Sequence, residues 1–268
     1  MKHRSCSTWA LAGLAGLALV ASGCRSDDVS GTSDQQAETG VRESAPVVLV
    51  AVPMADGART VAGELLGQVG TAAALSRAQA PAPTATVPTC NPTFDLGDGI
   101  TGTCSVSDVG VATLAFSGTR SVDGLATTIS GTLTVTVAAD QPASGTKFAV
   151  ALSATVSNTR EAATWNLTGT AVISGSGQLT DHSLELDLGV TPTGGTPSSA
   201  TVRLTTILIS VFVQTPSGVN VDYVLDRTAL TGAISVQGRQ FATVTVANDC
   251  AVIHFVNPAF ADATICRE

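Results

Sequence analysis

The sequence is poor in aromatic and charged side chains. Phe, Trp and Tyr make up 4% of the 268 residues, with two tryptophans and one tyrosine, and Asp, Glu, Lys and Arg make up 13%. Sugar recognition commonly uses aromatic platforms, so carbohydrate is not an expected ligand. The 13 basic residues are outnumbered by 21 acidic ones. Nucleic acid is therefore not an expected partner, because binding it needs clustered Lys and Arg that displace counterions.

Histidine is scarce as well. His3, His182 and His254 are the three in the chain, too few for a histidine-rich metal cluster. The cysteines do not form pairs spaced two to four residues apart, which is the arrangement that structural zinc sites use. The sequence therefore predicts no metal and no cofactor.

The first 23 residues have the pattern of a secretory signal peptide. Lys2, His3 and Arg4 form a basic head, and an uninterrupted run of Leu, Ala, Gly and Val follows at residues 11–20. This run is shorter than the ~20 apolar residues that a permanent membrane helix needs. We expect residues 1–23 to be removed, which leaves 11 basic against 21 acidic side chains and a net charge of −10.

The end of this segment, "LALVASGCRS" at residues 17–26, resembles the processing box of bacterial lipoproteins. In that family, cleavage precedes a cysteine that follows small residues, here Ser22, Gly23 and Cys24, with Ala21 where leucine is most common. The resemblance implies a diacylglyceryl group on the sulfur of Cys24, with acyl chains such as palmitate, and hence a stable membrane anchor. The alternative is a plain signal peptide cut nearby, with Cys24 left free.

Arg25 follows the anchor position. In lipoproteins of this kind, a residue other than Asp there resembles a signal for transfer to the outer membrane. The resemblance therefore implies an exported chain anchored to the bacterial outer membrane, facing either the periplasm or the cell surface.

Four cysteines remain after Cys6 is removed and Cys24 is lipidated: Cys90, Cys104, Cys250 and Cys266. An even number of cysteines in an oxidising compartment indicates disulfides. Four cysteines allow three connectivities, and the spacing favours the two local pairs, Cys90 with Cys104 and Cys250 with Cys266.

The region before the first disulfide predicts a tether and one helix. After the anchor, residues 25–46 are polar and without apolar periodicity, which is typical of a flexible tether, and we expect the anchor and tether to occupy residues 24–55. Apolar residues at helical spacing then predict an amphipathic helix over residues 56–77, within a segment 56–87 that ends in a proline-rich linker.

From Thr101 onward, within a disulfide-stapled β domain expected over residues 88–268, the apolar period switches to two. In "TTISGTLTVTV", Ile129, Leu133, Val135 and Val137 alternate with Ser and Thr, as in a strand that is buried on one face. Similar runs recur down the chain, separated by turn pairs such as Asp123-Gly124 and Ser217-Gly218. A single run, "VRLTTILISVFVQ", is apolar on both faces, with Leu204, Leu208 and Phe212 opposite Ile207, Ile209, Val211 and Val213, and predicts a strand covered on both sides.

These patterns predict a mainly β domain. We expect an antiparallel meander of about eight to ten strands, forming a strongly curved sheet, an open barrel or a sandwich, with the helix packed on its concave apolar face. The stretch of residues 90–137, with its order "C...DGITGTC...FSGTRSVDG...SGTLTVTV", also resembles β-rich bacterial lipoproteins of no assigned function, a likeness that implies no activity.

Catalytic groups are few. Asp181, His182 and Ser183 are triad residue types side by side, but neighbours on a strand point to opposite faces and do not converge. His254 lies in the apolar run "AVIHFV" and is interpreted as a core or edge residue.

The acidic pairs and the threonine face have simple structural interpretations. Asp95 and Asp98 lie in "FDLGDG", where a turn explains them better than a calcium site. Glu185 and Asp187 share a strand face, which suits glycosidase carboxylates but equally a solvent-facing surface. Thr132, Thr134 and Thr136 would form a binding array only if several strands repeated hydroxyls in register.

Two functional hypotheses follow, neither of them an enzyme. The first is a non-catalytic, lipid-anchored envelope lipoprotein whose β domain binds an envelope protein or serves structurally. The alternative is a carrier of an apolar, lipid-like ligand inside the curved sheet, with the helix as a lid. A hydrolase that uses His182 or His254 is a remote third hypothesis.

Overall fold

Antiparallel strands make up most of the structure, a computed structural model that describes residues 32–73, 86–97, 99–122, 125–194 and 196–267. Residues from Thr32 onward form one compact unit. Its helix is α1 (Asp34–Leu66), and its strands are β1 (Val69–Ala73), β2 (Thr86–Cys90), β3 (Thr93–Asp95), β4 (Ile100–Val106), β5 (Ala112–Val122), β6 (Leu125–Val137), β7 (Thr146–Ser157), β8 (Glu161–Ile173), β9 (Leu179–Pro192), β10 (Ser198–Thr205), β11 (Leu208–Gln214), β12 (Asn220–Asp226), β13 (Thr231–Val236), β14 (Arg239–Ala247), β15 (Cys250–Phe255) and β16 (Ala263–Cys266).

Strands β3 to β16 form one sheet in which every strand pairs with its neighbours in the chain. The sheet is antiparallel throughout, its two edges are β3 and β16, and β1 and β2 form a separate hairpin. The predicted mainly β meander with one packed helix is confirmed. The expected number of eight to ten strands is too low, because the sheet has fourteen. Short strands such as β3 and β16 are missed because they contain too few residues to show an alternating pattern. The described strands also do not form a sandwich of two large sheets.

The inner face of the sheet is a continuous apolar surface. A single row of mutually paired, buried residues crosses twelve strands, from β4 to β15: Cys104, Leu114, Leu133, Leu152, Leu167, Leu186, Val202, Val211, Tyr223, Ile234, Ala242 and Phe255. The outer neighbours of this row, such as Thr132, Ser153 and Asn166, are exposed. The alternation of the sequence therefore becomes a sheet with one face that must be covered.

Two elements cover that inner face. Helix α1 contacts β6, β8 to β13, β15 and β16, and β2 contacts β4, β5 and β6. One helix can touch strands so far apart in the sheet only because the sheet curves around it. The concave space is therefore filled by α1, and the helix does not act as a lid over an empty interior.

The bounds predicted for the helix are wrong. The sequence predicts a tether through residue 55 and a helix over 56–77, but α1 begins at Asp34 and ends at Leu66, and β1 follows at residue 69. The α1 N-terminus is a capping box, in which the Ser33 Oγ accepts from the Gln36 N–H at 3.2 Å and the Gln36 Oε1 accepts from the Ser33 N–H at 3.0 Å. The proposed anchor at Cys24 lies outside the described residues.

Two prolines inside α1 explain why the sequence obscures this helix. A proline in a helix interior removes a backbone hydrogen bond and costs ~3 kcal/mol. Pro46 and Pro53 both lie on the exposed face of α1, so neither ring displaces a buried contact. Burial of the opposite side of the helix outweighs this local penalty. By length and composition α1 would also suit a membrane span, but 50% of its most apolar window is buried in this fold, as in the core helix of a globular domain.

The run predicted as one strand apolar on both faces is a hairpin. Strand β10 ends at Thr205, β11 begins at Leu208, and the two strands pair with each other. The turn between them contains none of the Gly, Pro, Asn or Asp residues that usually mark turns. Ile209 and Val211 are buried, whereas Ile207 in the turn and Leu208 and Phe212 in β11 are exposed.

Both predicted disulfides are confirmed. The Cys90–Cys104 bond joins β2 to β4, and the Cys250–Cys266 bond joins directly opposed residues of β15 and β16. The first holds the covering hairpin on the sheet, and the second secures the edge strand β16.

A buried polar contact fixes the register of α1 on the sheet. The Tyr223 hydroxyl on β12 donates to the Val41 carbonyl at 3.2 Å and is 2.8 Å from the Ser44 Oγ. Ser44 and Tyr223 are both fully buried. Because an unpaired buried polar group is costly, sliding the helix by one turn would break this arrangement at a penalty of ~1–3 kcal/mol.

The glycines of α1 provide a matched stability test. A Cβ at Gly40 would lie 2.7 Å from Val219 Cγ1 and 2.8 Å from its Cβ, whereas a Cβ at Gly63 would meet nothing nearer than 3.6 Å. Alanine in a helix is favoured over glycine by ~1 kcal/mol. We expect Gly63→Ala to raise the free energy of unfolding by up to about 1 kcal/mol and Gly40→Ala to lower it by about 1 kcal/mol through overpacking. Urea denaturation checks this, and equal shifts in one direction would contradict the close contact at Gly40.

Tyr223, the only tyrosine in the chain, makes the stability sensitive to high pH. Burial raises the pKa of its phenol, and the hydrogen bond with Ser44 only partly opposes this. A pKa raised by folding contributes stability below the unfolded pKa of ~10 that is lost as pH rises above it. We expect the wild type to lose unfolding free energy more steeply above pH ~10 than Tyr223→Phe, which should itself cost ~1 kcal/mol at neutral pH. Parallel pH profiles of the two proteins would refute a buried neutral phenol.

Candidate ligand pocket

One face of α1 is left open by the curved sheet. Exposed and half-buried positions recur every three or four residues along it: Thr39, Glu43, Pro46, Val50, Pro53, Gly57, Thr60 and Glu64. The rest of the circumference is mostly buried. The open face is therefore a narrow stripe at which the helix borders solvent.

A pocket of about 120 Å³ lies beside this stripe, between α1 and strands β5 to β8. We call it the α1 pocket. Its walls are mainly apolar and include Pro53, Met54, Leu125, Ile129, Val156 and Trp165. Its volume is close to the ~150 Å³ of an engineered apolar cavity that binds benzene, so it suits a ring or a short chain better than a whole lipid.

Trp165 forms one wall of the α1 pocket. It is 4% exposed, and its indole nitrogen has no hydrogen-bond partner among the described residues. Gly57 lies next to the ring, where a Cβ would be 3.6 Å from Trp165 Cη2. The absence of a side chain at position 57 therefore leaves space beside the indole.

The polar rim of the α1 pocket contains a buried ion pair. The Arg267 Nη2 donates to the Glu161 Oε1 at 2.5 Å, and Glu161 is 6% exposed. Arg267 follows the edge strand β16, whereas Glu161 begins β8 in the middle of the sheet. The pair therefore fastens the C-terminal edge across the open side of the curved sheet.

Two more arginines line the α1 pocket. The Arg120 Nη1 donates to the Glu64 Oε2 at 3.2 Å, which links β5 to the last turn of α1. Arg160 lies in the turn between β7 and β8, where the Asn158 Oδ1 accepts from the N–H groups of Arg160 and Glu161 at 2.8 and 3.0 Å. The turn is thus held by its own asparagine, and the Arg160 side chain is exposed.

The three triad-type residues at positions 181–183 lie on opposite faces of β9 and do not converge. His182 points into the interior at 6% exposed and its Nε2 has no described partner, whereas Asp181 and Ser183 are on the outer face. Burial, followed by the charges of Arg227 and Arg59, lowers the pKa of His182. The Asp181 Oδ1 accepts from the Thr206 hydroxyl at 2.7 Å. Asp181 and His182 therefore do not form a base and its orienting group.

The second histidine candidate is at the surface, not in the core. The His254 Nδ1 is 2.7 Å from the Asp262 Oδ2, and both side chains are 58% exposed. This hydrogen bond lowers the pKa of Asp262. His254 therefore lies on the exposed face of β15, the strand next to the edge strand β16, and not in the core.

The carboxylate candidates also have structural partners. Glu185 pairs with Arg203 at 2.7 Å, and Asp187 accepts from the Thr201 hydroxyl at 2.9 Å. The Asp95 Oδ1 accepts from the Gly97 N–H at 2.8 Å, as in a turn, and Asp98 lies outside the described residues. Within the described ranges, no group of three or more metal-ligating side chains comes together.

Hydroxyl side chains do repeat in register across the outer face. Thr128, Ser130, Thr132 and Thr134 of β6 lie beside Ser and Thr of β5 and β7, with hydrogen bonds of 3.1 Å from Thr119 to Thr128 and from Ser130 to Thr155. The same sheet curves around α1, so this surface is not a flat lattice. The hydroxyls pair with one another and with solvent.

The sequence did not single out the residues of the α1 pocket. Glu161 and Arg267 are 106 positions apart, and Pro53 and Trp165 belong to different elements. Nothing in their local patterns indicates a shared site. A weak signal was present in "NTRE" at residues 158–161, which places opposite charges beside a turn-forming asparagine.

The Glu161–Arg267 pair should contribute more to stability than an exposed pair. Removing one partner of a buried ion pair typically costs 3–5 kcal/mol, whereas exposed pairs contribute ~0–1 kcal/mol. Because the Arg267 side chain retains 21% exposure, we expect Glu161→Ala to lower the free energy of unfolding by about 2 kcal/mol. The control, Glu185→Ala, breaks the exposed pair with Arg203 and should cost under about 1 kcal/mol. Similar losses in the two variants, measured by chemical denaturation, would mean that the pair does not fasten the sheet.

No known protein-family model matches the chain, and a search of curated proteins finds no similar sequence.

Proposed function

We propose that this chain is a non-catalytic, lipid-anchored envelope protein whose β domain binds a small apolar ligand in the α1 pocket. The observation that carries the ligand-binding part is the pocket itself, an apolar hollow with Trp165 as its wall and no side chain at Gly57 to fill it. Small-molecule sites are typically concave and mostly apolar with a few polar groups. The α1 pocket has this composition.

The size of the pocket refines the carrier hypothesis. The interior of the curved sheet is occupied by α1, whose buried residues pack against the apolar inner face. A space of about 120 Å³ accepts one small apolar group, and any longer part of the ligand extends along the open face of the helix. The ligand class that we propose is therefore a short or single-chain amphiphile.

The envelope location rests on the sequence. The basic head and apolar run before Cys24 support export, and the "ASGC" stretch supports acylation of that cysteine. Two disulfides in the domain are in keeping with an oxidising compartment. The non-catalytic assignment is supported by the separate engagements of Asp181 with Thr206, His254 with Asp262 and Glu185 with Arg203, because these three pairs do not join a carboxylate, a histidine and a hydroxyl group in one cluster.

An envelope protein partner is the second candidate function. Its support is a group of exposed apolar side chains on the outer face at β11 and β12: Ile207, Leu208, Phe212 and Val224. Isolated surface apolar residues are ordinary, but adjacent ones can mark an interaction surface. Native mass spectrometry distinguishes a bound protein partner from a bound small ligand.

Native mass spectrometry of the protein extracted gently from its own membrane tests the proposal. We expect a covalent acyl mass that is absent from Cys24→Ser, and a non-covalent small-molecule mass that remains on Cys24→Ser. Gly57→Leu, which fills the α1 pocket, should remove the non-covalent mass. Gly63→Leu is the matched control, because Gly63 is also a helical glycine with its nearest contact at 3.6 Å but does not line the pocket.

Each part of the proposal has its own contrary outcome. An unacylated Cys24 would refute the anchor, and a bare polypeptide without any adduct would refute ligand binding. A protein-sized adduct that is lost in Phe212→Ser but kept in Gly57→Leu would favour the envelope partner instead.

A further inference from the structure

The cationic side chains of the described residues are almost all neutralised. Nine Lys and Arg residues lie in these ranges, and eight of them form ion pairs: Arg42, Arg59, Arg120, Lys147, Arg203, Arg227, Arg239 and Arg267. Within this part of the chain, Arg160 is the ninth and has no acidic partner. In a protein with 21 acidic and 13 basic residues, a cation without a carboxylate is the exception.

Arg160 is placed at the α1 pocket. Its own neighbour Glu161 is turned inward and paired with Arg267, and Arg120 is paired with Glu64. Of the three arginines that line the pocket, two are therefore compensated by a carboxylate, whereas Arg160 has no carboxylate partner among the residues that the structure describes. Its backbone is held by the Asn158 side chain at 2.8 Å, so the guanidinium extends from a fixed base.

We propose that the ligand of the α1 pocket is an anionic amphiphile, whose apolar part packs against Trp165, Ile129 and Val156 and whose carboxylate pairs with Arg160. This inference rests on the proposed function and adds the chemistry of the head group. A planar guanidinium binds a carboxylate through two parallel hydrogen bonds. Apolar walls, with one guanidinium at the rim that lacks a carboxylate partner within the described ranges, match a molecule that is apolar at one end and negatively charged at the other.

Three probes with the same chain and different heads test the inference: octanoate, 1-octanol and octylammonium. The protein is the full chain with Cys24→Ser, which removes acylation, and Trp9→Phe, which leaves Trp165 as the sole tryptophan. Trp165 fluorescence then reports occupation of the pocket whose wall it forms. We expect octanoate to bind about fivefold more tightly than octanol and octylammonium to bind most weakly, with the octanoate preference reduced at high salt.

Variants of Arg160 assign the preference to one side chain. Arg160→Gln should bind octanoate and octanol with equal affinity, and Arg160→Lys should restore part of the preference. Arg203→Gln is the matched control, because it removes an exposed arginine from the outer face and should leave all three affinities unchanged. An unchanged melting temperature in Arg160→Gln confirms that the exposed turn still folds.

The outcomes separate the two levels of the proposal. Equal binding of octanoate and octanol to the wild type would overturn the anionic head group and leave the apolar pocket standing. A preference for octanoate that survives Arg160→Gln would overturn the role of Arg160. If none of the three probes changes Trp165 fluorescence, in the wild type or in Gly57→Leu, both the head group and the proposed ligand binding in the α1 pocket would be overturned.

Discussion

The burial of α1 against the inner face of the sheet is the constraint on which the fold depends. A row of paired apolar residues crosses twelve strands, and a sheet with such a face is stable in water only when something covers it. The helix supplies fifteen buried residues for that purpose. Because one helix contacts most of the strands, the sheet bends around it. The curvature of the sheet and the composition of the core both follow from this packing requirement.

The same constraint creates the α1 pocket at the margin of the fold. A helix enclosed on most of its circumference still has an open stripe, and Pro46, Pro53 and Gly57 lie along that stripe. Across this stripe, the Glu161–Arg267 ion pair brings the C-terminal edge toward β8. In the described sheet, the backbone of β16 pairs with β15 and not with β8. A contact made by two side chains leaves more space between the C-terminal edge and β8 than backbone pairing of two strands would. The α1 pocket occupies that space.

The sequence predicts those features that a short window contains. Alternation of Leu133 and Val135 with threonine identifies a half-buried strand, and cysteine spacing identifies Cys90–Cys104 and Cys250–Cys266. The start of α1 escaped prediction because Gly40, Pro46 and Pro53 each disfavour a helix locally, and only tertiary burial outweighs them. The turn at Thr206 and Ile207 escaped it because its hydrogen bonds come from Thr205 and Arg227 and not from typical turn residues. The pocket escaped it because its walls are brought together by the fold alone.

Charge distribution separates what stabilises this fold from what it has available for binding. Arg239, Arg227 and Arg120 hold α1 by ion pairs with Asp34, Asp56 and Glu64, and Arg267 holds the C-terminal edge by its pair with Glu161. Four of the nine cations in the described residues are thus committed to keeping the helix and the C-terminal edge in place. Arg160 is not needed for that purpose, because its turn is fixed by Asn158 and its neighbour is already paired. A side chain that the fold does not use, beside a hollow that the fold does not fill, is free to serve a ligand without a loss of stability. Within this one turn, Glu161 therefore stabilises the fold through its ion pair with Arg267, and Arg160 is left for the proposed ligand.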